Sequence, residues 1–236
     1  MRRSYSYFTV ALLTLIAVCG DAQDTTGKSG SGELEKTLRQ MDTAATNFRS
    51  TEADLVWEQY QKVVNEKDTQ KGKVYFRKAG KDTQMMVDIS DPDQKYVLYS
   101  DGKLQVYQPK MEQVTVYTPG KSKTDVESFL VLGFGGGGHD LQKSFDVTYG
   151  GSETIGGIQT VKLNLVPKSP KVKGMFDHIV LWVDPTRGVS VQQQFFEPSG
   201  DYRLNHYSDI QMNQKLPDNA FKLKTTGKTK FVSPQG

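Results

Sequence analysis

The chain has 236 residues, of which 36% are hydrophobic and 24% charged, and its formal net charge is +3. Lysine and arginine (30) are balanced by aspartate and glutamate (27), which is not the charge pattern of a nucleic-acid-binding protein. A chain of roughly two hundred residues after N-terminal processing can bury the core of a single domain.

Residues 1–22 have the build of a secretory signal peptide. A short positive segment, Met1–Arg3, is followed by an uncharged apolar run at 8–18. Small residues, Gly20 and Ala22, then stand at the positions required for a cut after Ala22. The apolar run is too short to cross a bilayer, which needs roughly 20 apolar residues. The sequence therefore predicts an exported chain.

Cys19 leaves a second interpretation of the N-terminus open. The stretch Ile16-Ala17-Val18-Cys19 resembles a bacterial lipobox, in which the cysteine becomes the lipidated first residue, although Val18 stands where a small residue is favoured. Because Cys19 is the only cysteine, an intramolecular disulfide is excluded. Whether Cys19 is removed or lipidated, the mature chain carries no free thiol, which suits an oxidising compartment.

One amphipathic helix is predicted near the start of the mature chain. Residues 23–32 are polar and rich in glycine and serine, which predicts a flexible spacer. From Glu33 to Phe48, apolar side chains recur at spacings of three and four, as on one face of a helix. This stripe consists of Leu34, Leu38, Met41, Ala45 and Phe48. It has to be buried against another part of the fold.

From about residue 55 the hydrophobic period changes to two, which predicts β-strands. The first group is predicted at 55–60, 73–77, 84–89, 95–99, 103–107 and 113–117. A second group is predicted at 145–149, 160–165, 178–183, 189–196 and 202–212. Asp101-Gly102 is a strong hairpin signal because both turn positions favour positive φ. Short turns between neighbours indicate antiparallel pairing.

A helical interruption is predicted between the two groups of strands. Thr124 and Glu127 stand in capping-box spacing, and Val126, Phe129 and Leu130 form a short apolar face. The glycine run at 133–138 ends this helix, and a further turn is predicted at 141–145. A sheet of this length either splits into a sandwich or curls toward a barrel. Its concave face would then be the natural partner of the N-terminal helix stripe.

The residues that could carry catalysis do not form a catalytic pattern. Residues 133–138 satisfy G-x-G-x-x-G, but a dinucleotide fingerprint lies between a strand and a helix of a βαβ unit, so a flexible loop is the better interpretation. His139, His178 and His206 lack metal-binding spacing, and His139 is expected to be solvated. The sequence contains no G-x-S-x-G elbow. We expect no catalytic residue, metal or cofactor.

Aromatic side chains are plentiful in the predicted strands and allow two interpretations. They could form an ordinary core with cross-strand pairs, which periodicity alone favours. They could also line an apolar cavity between sheet and helices, where Met41, Met85 and Met86 would supply an adaptable surface.

The order of these features resembles the LolA family of lipoprotein carriers, from about Leu34 to Leu223. The most specific segment is 96–109, which resembles the family's strand, Ser-Asp-Gly turn and second strand ending in Tyr-x-Pro, followed by Gln113-Val114. Residues 161–168 resemble its Leu-x-Pro-Lys strand end, 179–183 its next strand, and 216–221 the segment before its last strand.

This resemblance implies a mainly β (α+β) fold: a curved antiparallel sheet that forms an incompletely closed β-barrel, lidded by the N-terminal helix and short inserted helices. Residues 33–236 would form one carrier domain. It would be a periplasmic protein, not an enzyme, that binds acyl chains of lipoproteins or other lipids and moves them toward the outer membrane. Implied partners are an inner-membrane donor and an outer-membrane acceptor, with no nucleic acid, and a monomer is expected.

An alternative function stays open on the same fold. The protein would then be an envelope sensor or another interaction module, including one tethered to a membrane through Cys19.

The cavity residues are predicted from alternating apolar positions of the clearest strands and from four helical residues. They are Leu38, Met41, Val74, Phe76, Leu104, Val106, Val114, Val116, Phe129, Leu130, Leu163, Leu165, Ile179 and Leu181. Arg77 is the nearest match to the family's lid-locking arginine, although Lys78-Ala79-Gly80 replaces the family's Arg-Pro-Gly stretch. These departures indicate a distant member.

Overall fold

The computed structural model describes residues 26–79, 82–118, 129 and 132–234. The predicted signal peptide with Cys19, the capping-box residues Thr124 and Glu127, and the predicted cavity residue Leu130 lie outside the described residues. Among the residues that are described, no helix combines the length and apolar composition needed to cross a membrane.

The first half of the chain is one long helix followed by a run of strands. Its elements are α1 (Thr26–Asn47), β1 (Ser50–Gln61), β2 (Glu66–Ala79), β3 (Asp82–Asp91), β4 (Lys95–Ser100), β5 (Lys103–Gln108), a 3-10 turn (Pro109–Met111) and β6 (Gln113–Tyr117). The second half contains α2 (Gly138–Ser144), β7 (Phe145–Ile155), β8 (Ile158–Pro167), α3 (Pro170–Lys173), β9 (His178–Asp184), β10 (Val189–Phe196), β11 (Tyr202–Met212) and β12 (Lys230–Val232).

The described strands form one sheet of twelve, in the order β12-β6-β5-β4-β3-β2-β1-β11-β10-β9-β8-β7. All neighbours are antiparallel except β12 and β6, which are parallel. Pairing of β1 with β11 joins the first half of the chain to the second. Among the described strands, β7 and β12 each pair on one side only, so the sheet is curved but not closed. The predicted mainly β, incompletely closed fold is confirmed.

The apolar stripe of α1 is buried against one half of the concave face. Leu38 and Met41 are 0% and 2% exposed and belong to one cluster with strand residues of β8 and β9. These strand residues are Val161, Leu163, Leu165, Ile179, Leu181 and Val183. Full burial of one such side chain contributes roughly 1.5–3 kcal/mol, so this cluster is a main source of the helix's stability.

The N-terminal spacer differs from the prediction, because α1 already begins at Thr26 and residues 26–32 are helical. Glycine and serine have low helix propensity, so tertiary packing must compensate. Gly30 lies against the ring of Tyr149 on β7, where an added Cβ would be 3.2 Å from Cδ1. The missing side chain therefore lets this part of the helix approach the sheet edge closely.

The glycine run at 133–138 is packed rather than a free loop. Gly135 has φ +80° and lies against the Phe48 ring, and Gly138 lies on the backbone of Leu38 in α1. A Cβ at Gly138 would stand 2.3 Å from the Leu38 carbonyl oxygen. Glycine is required here because α2 crosses α1 at backbone contact distance.

Gly138→Ala is expected to destabilise the fold by about 1–3 kcal/mol, since the added methyl group overlaps backbone atoms that cannot rotate away. Gly32→Ala is the matched control, because it also lies in a helix but has open space around its Cα. It should be stabilising by about 0.5–1 kcal/mol through helix propensity. Urea denaturation measures the change in unfolding free energy of both variants, provided that their m-values stay unchanged. Equal shifts of the two urea midpoints would contradict the close contact at Gly138.

Candidate binding cavity

An apolar cavity of about 220 Å³ lies on the half of the concave face that α1 leaves uncovered. Helix α1 packs on α2, β7 and β8, whereas the cavity lies over β1–β4, β10 and β11. Its lining consists of Leu55, Trp57, Val74, Phe76, Met85, Val87, Val97, Phe129, Gln193, Phe195, Asn205 and Tyr207.

Strand alternation explains why these side chains share one face. Val74, Val87 and Val97 are directly opposed across β2, β3 and β4, so all three point to the same side of the sheet. On β1 and β3 the lining residues are two positions apart, as the side-chain period of a strand requires. The cavity wall is therefore the inner side of the sheet itself.

Aromatic rings separate the cavity from the core beneath α1. Phe129 makes edge contacts with Phe145 and Phe176, at ring-centroid distances of 6.4 and 5.3 Å. Phe134 packs between Phe76 and Tyr207, at 5.3 and 5.1 Å. The described part of the connection from β6 to β7 thus lies on the concave face and covers the strands that α1 does not reach.

The polar atoms of the lining are neutral. The buried Tyr207 hydroxyl donates a hydrogen bond to Gln193 Oε1 at 3.4 Å, and burial raises the pKa of Tyr207. Among the described lining residues none is charged. A ligand in this cavity would therefore be held by apolar contact.

Val74, Phe76 and Phe129 are the predicted cavity residues that line the cavity. Others are packed into the core that α1 forms with β8 and β9; they are Leu38, Met41, Leu163, Leu165, Ile179 and Leu181. Leu104 and Val106 share the concave face, because Val106 is opposed to Val97 and Leu104 to Tyr99. They lie one strand beyond the described lining.

Val114 and Val116 lie on the opposite, convex face. Thr115 is opposed to Val106 and so shares the concave face with it, which places its two neighbours on the other side. The prediction continued one alternating pattern from β5 into β6. The intervening 3-10 turn, with Glu112 at φ +48°, shifts which apolar positions face inward.

Several lining residues were not predicted. Trp57, Val87 and Val97 belong to strands that the sequence does predict, and their alternation is visible in it. Met85, which the sequence suggested as an adaptable lining residue, also lines the cavity. Gln193 and Asn205 carry no apolar signal, and only the register of β10 and β11 places them beside Tyr207.

Arg77 lies on the convex face, since it alternates with Phe76, which lines the cavity. Its Nε donates to Gln84 Oε1 at 2.6 Å, and its guanidinium carbon is 4.4 Å from the Phe221 ring centroid. The contact with Phe221 places the segment that follows β11 against the convex face of the sheet. The lid-locking role of Arg77 stays a prediction.

The His139 side chain is 42% exposed, in line with the solvated side chain that the sequence suggested, and it also joins α2 to α1. Its Nδ1 pairs with Asp42 and its Nε2 lies 3.3 Å from Glu35 Oε2. The backbone N–H of His139 also donates to Asp42 Oδ1 at 3.1 Å. Hydrogen bonds with Asp42 and then Glu35 raise the pKa of His139. For Asp42, burial raises the pKa, but its bonds with His139 outweigh this and leave the pKa lowered.

One protein family matches the sequence, over residues 47–224, and its description is outer membrane lipoprotein carrier protein LolA. A comparison with curated proteins gave no significant match.

Three solved structures illustrate the similarity of fold. The Pseudomonas aeruginosa MucA/MucB complex matches with 13% identity and a TM-score of 0.50, covering 85% of this chain and 63% of that one. An uncharacterized conserved protein from Thermus thermophilus matches with 10% identity and a TM-score of 0.51, covering 86% of this chain and 98% of that one. The Mycobacterium tuberculosis lipoprotein LppX matches with 13% identity and a TM-score of 0.50, covering 79% of this chain and 98% of that one. This chain thus spans less than two thirds of the MucA/MucB match.

The His139 contacts predict a pH-dependent stability. A raised folded-state pKa means that the contribution of His139 is complete below its unfolded pKa of 6.5 and is lost as the pH rises through the folded value. The Asp42 contribution is present above 3.8 and is lost as the pH falls through the lowered folded value. His139→Gln should therefore lower the urea midpoint more at about pH 5.5 than at about pH 9.

Lys143→Gln is a control on the same helix. Lys143 pairs with Asp140, which raises its pKa from 10.5, so it stays charged at both pH values. Its effect on the midpoint should be the same at both. An effect of His139→Gln that does not change with pH would exclude the ion pairs as its source.

Proposed function

Since this chain belongs to the LolA family of outer membrane lipoprotein carrier proteins, we propose that it is a periplasmic carrier. It binds the acyl chains of lipoproteins or other lipids in the apolar cavity and moves them toward the outer membrane. An inner-membrane donor delivers the cargo and an outer-membrane acceptor receives it. Export by the predicted signal peptide at 1–22 would place the chain in the periplasm.

The observation that carries this proposal is the cavity between the sheet and the covering aromatic residues. Its described lining is uncharged and mostly apolar, with aromatic, aliphatic and methionine side chains. Burial of an acyl chain contributes roughly 0.8 kcal/mol per methylene, so about ten methylenes would contribute roughly 8 kcal/mol before the entropic cost of binding. This lining also lacks a nucleophile and a base, so it favours holding a lipid over changing it.

The covering residues suggest how the cavity accommodates a chain. Phe129 lines the cavity and, like Phe134, rests on other rings through edge contacts. An acyl chain would compete with such rings for the same apolar surface. Binding would therefore shift the cover outward only if the chain buries more surface than the rings lose.

A second candidate function is recognition of a protein partner. The fold similarity to MucB, whose structure is known in a complex with MucA, favours it. On this hypothesis the mature protein would form a stable complex with a membrane regulator and would not release lipoproteins from vesicles. A tether through Cys19 would be lost in Cys19→Ala, which would then change the protein's size and solubility.

Val97→Trp tests the carrier function. Val97 lines the cavity, and an indole in its place would fill volume that an acyl chain needs. The delipidated wild-type protein should bind a fluorescent fatty acid saturably, and Val97→Trp should weaken this at least about tenfold, the equivalent of about two methylenes. Fluorescence titration measures both affinities, and circular dichroism confirms that the variant folds.

Val166→Trp is the matched control, because it makes the same change at a side chain on β8 that is 42% exposed. It should bind the fatty acid like the wild type. Undiminished binding by Val97→Trp would place the ligand outside this cavity. A wild-type protein that stays empty in native mass spectrometry, even with lipid supplied, would refute the carrier function.

A further inference from the structure

A second pocket adjoins the cavity at the end of the sheet where β3 turns into β4. It has a volume of about 300 Å³ and a polar lining. The lining consists of Gln70, Pro92, Asp93, Gln94, Lys95, Gln108, Lys110 and Met111.

The polar pocket and the apolar cavity share the concave face. Lys95 is two residues before Val97 on β4, so both side chains point to the same side of the sheet. Gln70 is directly opposed to Trp57, which lines the cavity. Lys95 Nζ lies 4.5 Å from the centroid of the Trp57 ring. Trp57 and Lys95 therefore form the boundary at which the apolar lining becomes polar.

Lys95 is a half-buried cation whose direct contacts are neutral. Its Nζ donates to Gln70 Oε1 at 2.5 Å and otherwise faces the Trp57 ring. In the described part of the chain, no carboxylate lies within ion-pair distance of it; Asp93 lines the same pocket but pairs with Lys110. Burial lowers the pKa of Lys95. A partly desolvated cation without a counter-ion is unfavourable, and a bound anion would offset that cost.

We propose that the polar pocket binds the anionic headgroup of an amphiphile whose acyl chain occupies the apolar cavity, with Lys95 as the contact to the headgroup charge. This rests on the proposed carrier function and narrows its cargo to anionic lipids, such as those with a phosphate diester. Side-chain amides of Gln70 and Gln108 line the same pocket and can donate hydrogen bonds to headgroup oxygens. The Trp57 ring lies between the polar pocket and the apolar cavity, so it would contact the acyl chain on one side and Lys95 on the other.

The test compares two lipids that share acyl chains and differ in whether they carry an anionic phosphate-diester headgroup. Dioctanoyl phosphatidylglycerol and dioctanoylglycerol each displace the fluorescent fatty acid from delipidated protein. The wild type should bind the anionic lipid about tenfold more tightly, as expected for one charge-assisted hydrogen bond. Lys95→Met should remove this preference and leave the affinity for dioctanoylglycerol unchanged.

Two variants control for structure and for overall charge. Lys95→Arg keeps the cation and should retain the preference, which separates loss of charge from loss of packing on Trp57. Lys103→Met removes an exposed lysine that begins β5, at the opposite end of the sheet, and should change neither affinity. A Lys103→Met protein that loses the preference as Lys95→Met does would overturn the assignment to Lys95.

Soluble anions distinguish a lipid headgroup from a free phosphate. Glycerol phosphate and inorganic phosphate at millimolar concentration should not displace the fluorescent probe or weaken binding of phosphatidylglycerol. Competition by either one at the concentration of the lipid would show a site for free phosphate and overturn the lipid assignment.

The outcomes separate this inference from the carrier function. Equal wild-type affinities for the two lipids would overturn the headgroup site while the carrier function stands. Binding of neither lipid would refute both. A preference that persists in Lys95→Met would show that the charge is recognised elsewhere.

Discussion

The structure depends on how the apolar inner side of an open sheet is covered. A curved sheet that does not close exposes apolar side chains along its concave face, and α1 is placed to cover only the half formed by β7–β9. The other half is covered in part by Phe129, which lines the cavity, and by Phe134, which packs against Phe76 and Tyr207. The cavity is the part of the concave face that neither of these fills.

Close backbone contact is what fixes this partial cover. Gly138 allows α2 to lie on the Leu38 carbonyl, and His139, next to it, pairs with Asp42 of the same helix. Phe134 lies four residues before Gly138, and this contact thereby anchors it between Phe76 and Tyr207. The glycine run therefore positions the cover over the sheet, which a flexible loop could not do.

Strand positions could be predicted from the sequence because alternation and turn signals are local. Asp101 and Gly102 have φ values of +54° and +71°, as the hairpin signal implied. Which residues of a strand face the concave side could not be predicted as well. One turn of 3-10 helix between Val106 and Val114 puts Val106 on the concave face and Val114 on the convex face. The polar start of β2 was also missed, since 66–71 has no apolar period and is held by pairing with β1.

The candidate site was predictable only where its chemistry is apolar. Val74 and Phe76 follow from alternation, whereas Lys95 is an ordinary strand lysine in the sequence. Lys95 is half-buried because the strand register places Ile89 and Trp57 beside it. The same two-residue period that puts Val97 into the cavity puts Lys95 at its polar end. An apolar wall that ends in a half-buried cation on one strand matches a molecule with an apolar chain and an anionic end. The alternation of side chains along β4 therefore places both the apolar contact for the chain and the cation for the anionic end on one face of the sheet.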